Sequence, residues 1–262
     1  MDIRLTDYDY IVVNSSGGKD SQTALRFIAK QAAVEEVSDR VLVAHADLGQ
    51  VEWDGTKDLA QRQAEHYGFR FLAIARPQGD LLQHIEQRGK FPSSTARYCT
   101  SDHKRGQIAK LYTQLRKEKG GHVKILNVLG MRAEESPARA KLVPFKVNER
   151  ESNGVKTIHD WLPIHDWTLE DVWADIKASG VEHHPAYDLG MPRLSCVFCI
   201  FAPRSALLLA GKHNRDLLDR YVEVEKKIDH TFRQDVSLLE IQKEIESGVS
   251  DPLAIISDQW DM

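Results

Sequence analysis

A short loop near the N-terminus, rich in glycine and serine, constrains the fold of this chain more than any other feature. Residues 15–21 read Ser-Ser-Gly-Gly-Lys-Asp-Ser and stand between an apolar run at 10–13 and a helix-like segment at 22–33. The order of strand, glycine-rich turn and helix is how an α/β sheet presents backbone N–H groups to an anion. The loop is neither a Walker A sequence nor a G-x-G-x-x-G fingerprint. The sequence therefore predicts an anion site after the first strand, with an ordinary capped turn as the alternative.

Each residue type in this loop suits a phosphate group. Gly17 and Gly18 lack the Cβ atoms that would keep a phosphate away from the backbone, and the N-terminus of the following helix carries about half a positive charge. Ser16 and Ser21 add hydroxyl groups, and Lys19 adds a mobile cation.

The loop resembles the pyrophosphate loop of the ATP pyrophosphatase superfamily, also called the PP-loop or adenine nucleotide alpha hydrolase superfamily. This resemblance implies that Lys19 and Asp20 are catalytic. It also implies an ATP site formed by Ser16, Gly17, Gly18, Lys19, Asp20 and Ser21.

Apolar runs and helix-like segments alternate along the first two thirds of the chain. Predicted strands cover residues 8–14, 41–46, 69–75, 123–129 and 156–164. Predicted helices cover residues 20–33, 56–67, 79–88, 102–117, 169–179, 204–210, 215–230 and 237–246. This alternation predicts an α/β fold with a doubly wound, mostly parallel five-stranded sheet that binds ligands at the carboxyl ends of its strands. We predict a nucleotide-binding domain at 1–165 and a helical C-terminal region at 166–262 that carries a Cys-x-x-Cys pair.

Composition limits the function classes. The 262 residues are 42% hydrophobic and 28% charged, which is ordinary for a globular protein. No apolar run approaches the ~18 residues of a membrane helix, and the N-terminus lacks the apolar core of a signal peptide, so we predict a cytoplasmic protein without a membrane segment. A net charge of −4 argues against strong sequence-independent binding to nucleic acid, although a local basic patch stays open.

Asp47 and Gly49 follow the second predicted strand, at the sheet edge where ligands bind. A carboxylate there could contact a ribose hydroxyl or, through water, a magnesium ion. Asp-x-Gly is also common turn chemistry, and the residues alone leave the two interpretations open. The resemblance to the superfamily, which carries an acidic residue after this strand, implies that Asp47 binds ATP.

A second cluster follows the fourth predicted strand, where Gly130 would let a ligand approach and Arg132 and Arg139 offer forked donors for phosphate or sulfate. A solvated charged loop is the alternative. The run 130–139 resembles the Gly-x-Arg-x-x-Glu-Ser-x-x-Arg motif of the PAPS reductase branch of the superfamily. The resemblance implies that Gly130 binds ATP and that Arg132 is catalytic. It further implies phosphate or acceptor contacts at Lys104, Arg132, Glu135, Ser136 and Arg139.

The chain has three cysteines, Cys99, Cys196 and Cys199, which cannot pair off completely. A Cys-x-x-Cys pair with a distant third cysteine is a plausible mount for a [4Fe-4S] cluster, which normally takes four cysteines. A zinc site completed by His183 or His184 is one alternative, and packed or redox-active thiols are another.

Two downstream runs, at 163–173 and 184–190, resemble the same branch in the same order, so the resemblance spans residues 8–205. Cluster-bearing sulfonucleotide reductases have a double cysteine where this chain has Tyr98-Cys99, and a nucleophilic cysteine near the C-terminus. Residues 251–262 contain no cysteine. Because only a thiolate forms the S-sulfonate of that reaction, this departure weakens the reductase interpretation.

The leading hypothesis is therefore an ATP pyrophosphatase that uses ATP and Mg²⁺, releases AMP and pyrophosphate, and carries a [4Fe-4S] cluster. It would activate an acceptor by adenylation for sulfur incorporation, with the DNA backbone as the favoured acceptor. In character it is closest to the ATP-pyrophosphatase component of bacterial DNA phosphorothioation systems. That resemblance implies a cysteine desulfurase and DNA-modification proteins as partners, with nucleic acid reached through them. The alternatives are a PAPS or APS reductase that borrows an external thiol, and a nucleotide-sensing subunit without turnover.

Overall fold

The computed structural model describes residues 3–248 as two compact units, each built from several segments of the chain. The first unit contains the residues up to 46, together with 55–74 and 105–184. The second contains 47–54, 75–104 and the residues from 185 onward. The predicted boundary between residues 165 and 166 stays a prediction, and residues 251–262, where the sequence lacks a cysteine, lie outside the described part of the chain.

A six-stranded sheet organises the first unit. Its strands are β1 Tyr10–Asn14, β2 Val41–Asp47, β3 Arg70–Ala75, β4 Val123–Leu129, β5 Phe145–Val147 and β6 Lys156–Trp161. The strand order is β3-β2-β1-β4-β6-β5. β1 is parallel to both β2 and β4, and β4 is parallel to β6, whereas β5 is antiparallel to β6. The predicted α/β class and mostly parallel sheet are confirmed, with one strand more than the five predicted.

The additional strand, β5, lies at the edge of the sheet and is three residues long. Phe145 pairs with Trp161, and Val147 pairs with His159. Pro144 precedes the strand, and Val147 is exposed. A segment this short shows no alternation of apolar and polar residues, so sequence patterns do not reveal it.

Ten helices accompany the strands in the described residues. They are α1 Lys19–Val34, α2 Thr56–His66, α3 Leu81–Arg88, α4 Tyr98–Thr100, α5 Gly106–Lys119, α6 Pro137–Ala140, α7 Leu169–Ser179, α8 Arg204–His213, α9 Arg215–Ile228 and α10 Leu238–Ser247. A π-helical turn, Ser101–Arg105, lies between α4 and α5. The predicted capping box of α7 is present, because the Thr168 hydroxyl accepts the Asp171 backbone N–H at 3.1 Å.

Apolar side chains cover both faces of the sheet. Ile11 and Val13 of β1 belong to one buried cluster, whereas Val12 belongs to another. Alternate residues of a strand point to opposite faces, so a strand buried on both faces shows a continuous apolar run. This is why β1, β2 and β4 could be recognised in the sequence.

The second unit has its own core, formed mainly by helices α3, α8, α9 and α10. Leu82, Leu207, Leu218 and Ile241 are among its buried residues. The three cysteines pack against this same core as partly buried side chains.

The strand order places a switch point between β1 and β4. From β1 the chain continues outward to β2 and then β3, whereas β4 continues to the opposite side of the sheet. Ligands of such sheets bind where the loops leaving two neighbouring strands diverge. The loop after β1 and the segment that begins at Gly130 occupy this place. No helix within residues 3–248 combines the length and the apolar composition needed to span a membrane.

Candidate nucleotide and cysteine sites

The loop between β1 and α1 is braced by its own hydroxyl groups. The Ser21 hydroxyl donates to the carbonyl oxygen of Gly18 at 2.8 Å and accepts the Ser16 backbone N–H at 3.2 Å. The Gly17 N–H donates to the hydroxyl of Ser15 at 3.2 Å. These bonds hold the loop in shape before any ligand binds, which lowers the entropy cost of binding.

The start of α1 suits an anion. Gly18 is the N-cap of this 16-residue helix and has no side chain that could cap the N–H groups of the first turn. Gly17 has a φ of +69°, a conformation that favours glycine. A Cβ on Gly17 would also meet the carbonyl oxygen of Thr56 at 3.0 Å and its Cγ2 at 3.1 Å. The backbone therefore requires glycine at position 17, and at position 18 glycine leaves the N–H groups of the first turn uncovered by a side chain.

A buried charge network lies beside the loop. The Arg132 guanidinium Nε is 2.6 Å from Asp20 Oδ1, and its Nη1 is 2.5 Å from Glu134 Oε2. Lys19 Nζ is 3.3 Å from Asp20 Oδ2. Arg132 and Lys19 are each only 4% exposed. The cation that the sequence suggested to be mobile is thus fixed, and both oxygens of Asp20 are engaged.

This network decides the charge state of Asp20. Burial alone would raise the pKa of this carboxyl, but the neighbouring Lys19 and Arg132 outweigh it and hold the pKa below its usual range. Burial would lower the pKa of Arg132, but its bonds to Asp20 and Glu134 raise it instead. Both shifts favour the ionised forms, so Asp20 and Arg132 form a charged pair at neutral pH.

Gly130 brings β4 against α1 rather than leaving open space for a ligand. A Cβ added there would lie 2.5 Å from the Asp20 carbonyl oxygen and 2.8 Å from the Ser21 Cα. The glycine is needed because the backbone of the first turn of α1 passes directly over it.

The remaining residues of the 130–139 motif bind one another. The Arg132 backbone N–H donates to Glu135 Oε2 at 3.0 Å, and Arg139 forms an ion pair with the same carboxylate. The Ser136 hydroxyl accepts the Arg139 N–H at 3.2 Å and caps α6. The Arg139 side chain keeps 20% of its surface exposed, so it can also meet a ligand.

Sequence reasoning did not identify the contacts of three residues that hold this region together. Thr56 begins α2 and contacts Gly17, and its hydroxyl is 3.1 Å from the Nε2 of buried His184. Buried His165 accepts the N–H of Ala133 at its carbonyl oxygen, at 2.8 Å. His184 was weighed as a zinc ligand, but the structure places it next to a hydroxyl. Each partner is distant in sequence, so no local pattern could identify these contacts.

Asp47 is the last residue of β2 and belongs to the second unit. The sequence left two interpretations of it open, a turn residue and an ATP ligand. Its Oδ1 accepts the Gly49 backbone N–H at 2.8 Å, which is the bond of an Asx turn. Gly49 has a φ of +76°, and a Cβ there would lie 2.5 Å from the Cβ of Asp80. The turn role is observed, and a role of Asp47 in ATP binding stays a prediction.

The three cysteines come together in the second unit. Cys99 lies in α4, directly before the π-helical turn that contains Lys104. The Cys196 segment pairs with Glu52, and Val197 N–H donates to the Val51 carbonyl oxygen at 2.9 Å. Cys99 lies close enough to Cys196 and Cys199 to affect the pKa of both, and Cys199 affects that of Cys196. The structure thus places the three cysteines near one another, and their role as cluster ligands stays a prediction.

Burial has the largest effect on the pKa of Cys196 and Cys199. It raises the pKa of Cys196 to about 12 and also raises that of Cys199, while the positive charge of Lys104 acts in the opposite direction on both. The Phe201 backbone N–H bonds to Cys199 and lowers its pKa further. A bound metal centre is the usual means of keeping such buried sulfurs as thiolates.

We tested whether these residues fit a metal centre. Within residues 3–248, no group of three or more His, Cys, Asp or Glu side chains is arranged to hold a single metal ion. This gives the zinc alternative no support. Three neighbouring thiols on an apolar core, with a lysine nearby, are compatible with a [4Fe-4S] cluster. Such a cluster is larger than a single ion, so its cysteine ligands lie farther apart.

Comparison with known proteins identifies the family. Residues 10–202 match the family described as the phosphoadenosine phosphosulfate reductase domain. The chain belongs to this family. The predicted resemblance to the PAPS reductase branch of the PP-loop superfamily is thus confirmed.

Curated relatives in this family include named enzymes. The adenosine 5'-phosphosulfate reductase of Allochromatium vinosum is 27% identical over 197 residues, which cover 74% of this chain and 69% of that protein. An uncharacterized 37.8 kDa protein from the gpa 5' region of Escherichia phage 186 is 33% identical over 150 residues, or 57% of this chain and 43% of the phage protein. The adenosine 5'-phosphosulfate reductase of Burkholderia cepacia matches at 38% identity over 77 residues, 29% of each protein. The chain therefore spans less than half of the phage protein and of the Burkholderia enzyme.

Solved structures confirm the fold. The phosphate complex of the phosphoadenylyl-sulfate (PAPS) reductase from Candida auris superposes with a TM-score of 0.51 at 18% identity, covering 73% of this chain and 83% of that one. FMN adenylyltransferase from Candida glabrata gives a TM-score of 0.51 at 14% identity, covering 72% and 53%. At these identities the likeness concerns the α/β architecture alone.

Proposed function

We propose that this family member is an ATP pyrophosphatase that activates an acceptor by adenylation for the incorporation of sulfur, with the DNA backbone as acceptor. One observation carries the choice against sulfonucleotide reduction. All three cysteines in the 262 residues converge on one partly buried site in the second unit. No other thiol in these residues is left to attack the sulfur of APS or PAPS, and that attack requires a thiolate.

The loop supplies what adenylation requires. The Gly18 N–H and the uncapped start of α1 would bind the β- and γ-phosphates of ATP. An acceptor oxygen would attack the α-phosphorus, the bond from that phosphorus to the α–β bridging oxygen would break, and pyrophosphate would leave. Fixed donors at the leaving group stabilise the charge that develops there. Lys19, held in place by Asp20, would lie beside this charge.

Magnesium fits this site as an ion that is bound mainly by the phosphates of the nucleotide. Both oxygens of Asp20 already bind Arg132 and Lys19, so this carboxylate is not free to serve as the main ligand. Mg²⁺ commonly keeps several waters and binds through substrate phosphates. Arg139, partly exposed in the neighbouring motif, would contact a phosphate of the nucleotide or acceptor.

Cys99, Cys196 and Cys199 would hold the [4Fe-4S] cluster. Held by three protein sulfurs, such a cluster supplies one iron with an open coordination position, to which sulfide can bind. The apolar core around the thiols would exclude water from it, and Lys104 would balance part of its negative charge. A cysteine desulfurase as sulfur source and DNA-modification proteins that present the DNA complete the proposal.

Product analysis tests the proposed reaction. Anaerobically purified protein is incubated with ATP and Mg²⁺, and in parallel with APS or PAPS and reduced thioredoxin. We expect AMP and pyrophosphate in the first tube and no sulfite in the second. A double variant, Ser16→Ala with Gly18→Ala, should abolish AMP formation, whereas Gly154→Ala should retain it because a Cβ on Gly154 meets no atom within 4 Å.

The competing activity is sulfonucleotide reduction with an external thiol, and the names of the curated relatives favour it. Sulfite in the second tube, with ATP intact in the first, would replace the proposed function by this one. Tight ATP binding without any product over hours would instead indicate a nucleotide-sensing subunit.

A further inference from the structure

Two segments of the second unit carry all the cysteines and an excess of positive charge. Residues 88–104 and 193–204 contain one acidic side chain, Asp102. Their basic side chains are Arg88, Lys90, Arg97, Lys104, Arg193 and Arg204. Six positive charges against one negative leave +5 in a chain whose net charge is −4. These segments are where a local basic patch would lie, with Glu52 paired to the Cys196 segment and Glu244 to Arg204, and such a patch attracts a polyanion.

An aromatic ring and a flat cation lie together in this patch. The guanidinium carbon of Arg97 is over the Phe201 ring, 4.8 Å from its centre. Arg97 is exposed and Phe201 is partly exposed. Aromatic rings and arginine planes are the surfaces on which unpaired bases stack.

The backbone around Phe201 is held in place. Arg233 Nη1 donates to the carbonyl oxygens of Ile200 and Ala202, at 3.1 and 2.8 Å. The same guanidinium binds both carboxylate oxygens of Asp235, at 2.6 and 2.9 Å. Because the residues on either side are fixed, the ring of Phe201 is positioned before a ligand arrives.

Phe201 is also tied to the cysteine site, since its backbone N–H bonds to Cys199. Exposed Lys104 influences both Cys196 and Cys199. A ligand that stacks on Phe201 is therefore placed next to the sulfurs. Two of the other basic residues are committed elsewhere, since Arg204 pairs with Glu244 and Arg88 lies over the ring of Tyr98.

We propose that Phe201 and Arg97 bind a single-stranded segment of a polynucleotide, with a base stacked on the pair and backbone phosphates near Lys104 and Lys90. An acidic peptide would use the charges but not the ring, whereas a nucleotide strand uses both. This inference rests on the proposed function, because it identifies single-stranded nucleic acid as the form in which the acceptor reaches the cysteine site. Partner proteins would open the duplex, and this chain would hold the exposed strand.

Fluorescence anisotropy tests the inference with anaerobically purified full-length protein. The ligand is a labelled oligothymidylate of about 15 nucleotides, within the ~4–16-nucleotide sites of single-strand binding folds. We expect Phe201→Leu, which keeps an apolar side chain, and Arg97→Lys, which keeps the charge, each to weaken binding roughly tenfold. Arg215→Gln is the matched control, because Arg215 is an exposed arginine of the same unit outside the two segments. Loss of that charge should change binding less than about twofold.

Iron content and circular dichroism of each variant show whether the fold and the cysteine site are intact. If Phe201→Leu loses iron, its weaker binding could come from a damaged cysteine site. Arg97→Lys then serves as the test of stacking, because it changes an exposed side chain that folding does not need. Binding that neither variant changes, or equal binding of a duplex of the same length, would overturn the inference. An oligouridylate arm shows whether the strand is DNA or RNA.

The same preparations separate this inference from the proposed function. AMP formation without oligonucleotide binding would contradict the strand-binding inference and support the proposed pyrophosphatase. Oligonucleotide binding that depends on Phe201, without AMP formation, would contradict the proposed pyrophosphatase and support the strand-binding inference.

Discussion

Arg132 belongs to the sequence motif at 130–139 and also stabilises the fold through its buried positive charge. Its guanidinium is buried and lies between Asp20 and Glu134, so it joins the segment after β4 to the first turn of α1. In the proposed reaction, a cation held in this way would act on a phosphate mainly by positioning Asp20 and, through it, Lys19. Arg139, with the more exposed side chain, is the better candidate for direct contact.

Replacement of Arg132 by methionine should therefore destabilise the protein. The substitution takes one of two neighbouring cations from buried Asp20 and leaves Lys19, and breaking a buried ion pair in this way costs up to about 3–5 kcal/mol. The free energy of unfolding from urea titration measures this. Arg139→Met is the comparison variant and should cost less, about 1–2 kcal/mol, because the Arg139 side chain is 20% exposed and buried Glu135 keeps the Arg132 backbone N–H as a donor. Equal costs for the two variants would contradict the network described here.

Gly130 provides a second test at the scale of one residue. Gly130→Ala places a methyl group 2.5 Å from the Asp20 carbonyl oxygen, and backbone cannot move aside cheaply. We expect a loss of about 1–3 kcal/mol in unfolding free energy, together with weaker ATP binding, because the start of α1 must shift. Gly154→Ala meets no neighbour within 4 Å and should be close to neutral. A stable Gly130→Ala protein with normal ATP binding would show that β4 and α1 are not packed as described.

At the scale of elements, helix ends are the features that local sequence specifies best. The α7 helix begins with a capping box at Thr168 and ends at Gly180 with a φ of +68°. Both ends were predicted at these residues, because capping requires a particular side chain at a particular position. Strand β5 is the opposite case, since its pairing with β6 depends on a neighbour and not on its own three residues.

The cap of α7 leads to a prediction of its own. Thr168→Ala removes the hydroxyl that accepts the Asp171 N–H and should lower the free energy of unfolding by about 1 kcal/mol. Thr168→Ser keeps the hydroxyl and should retain most of the stability. Chemical denaturation of the two variants side by side checks this, and an equal loss in both would argue against the capping role.

At the scale of the whole molecule, a buried histidine pair should make stability depend on pH. His84 Nδ1 lies 3.0 Å from His103 Nε2. Burial, with His84 and Arg76 nearby, lowers the pKa of His103 to about 4, and burial lowers that of His84. Because the unfolded histidines have a pKa of about 6.5, the unfolded state takes up protons first as the pH falls.

The free energy of unfolding should therefore decrease between about pH 6.5 and pH 4, and be unaffected by these histidines above that range. Urea midpoints at a series of pH values measure the slope. His103→Gln should give a shallower slope over this interval than the unchanged protein. An identical slope would assign the acid sensitivity to other groups.

Charge is distributed unevenly at this scale as well. The chain as a whole is acidic, yet the two segments that carry the cysteines are strongly basic. Averaged composition hides such a patch, and it becomes visible only when residues distant in sequence are found in one unit.

The sequence by itself determined most of the elements and marked the residues on which the proposed chemistry rests. The apolar runs of β1, β2 and β4, the glycine and serine loop before α1, the cap of α7 and the three cysteines are all local patterns, and local patterns are set by backbone preference and periodicity. The strand alternation was also enough to predict a mostly parallel sheet. The family resemblance rests on the same short runs of residues.

Only the tertiary structure decided which of these residues meet. Arg132 reaches Asp20 across 112 positions, and His184 reaches Thr56 across 128 positions. The tertiary structure also contains β5 as a sixth strand and packs the first turn of α1 against Gly130. The physical reason is that a buried hydrogen bond or ion pair is selected by the packing of whole elements, because desolvated polar groups need partners wherever the fold provides them, and no local pattern records which partner that will be.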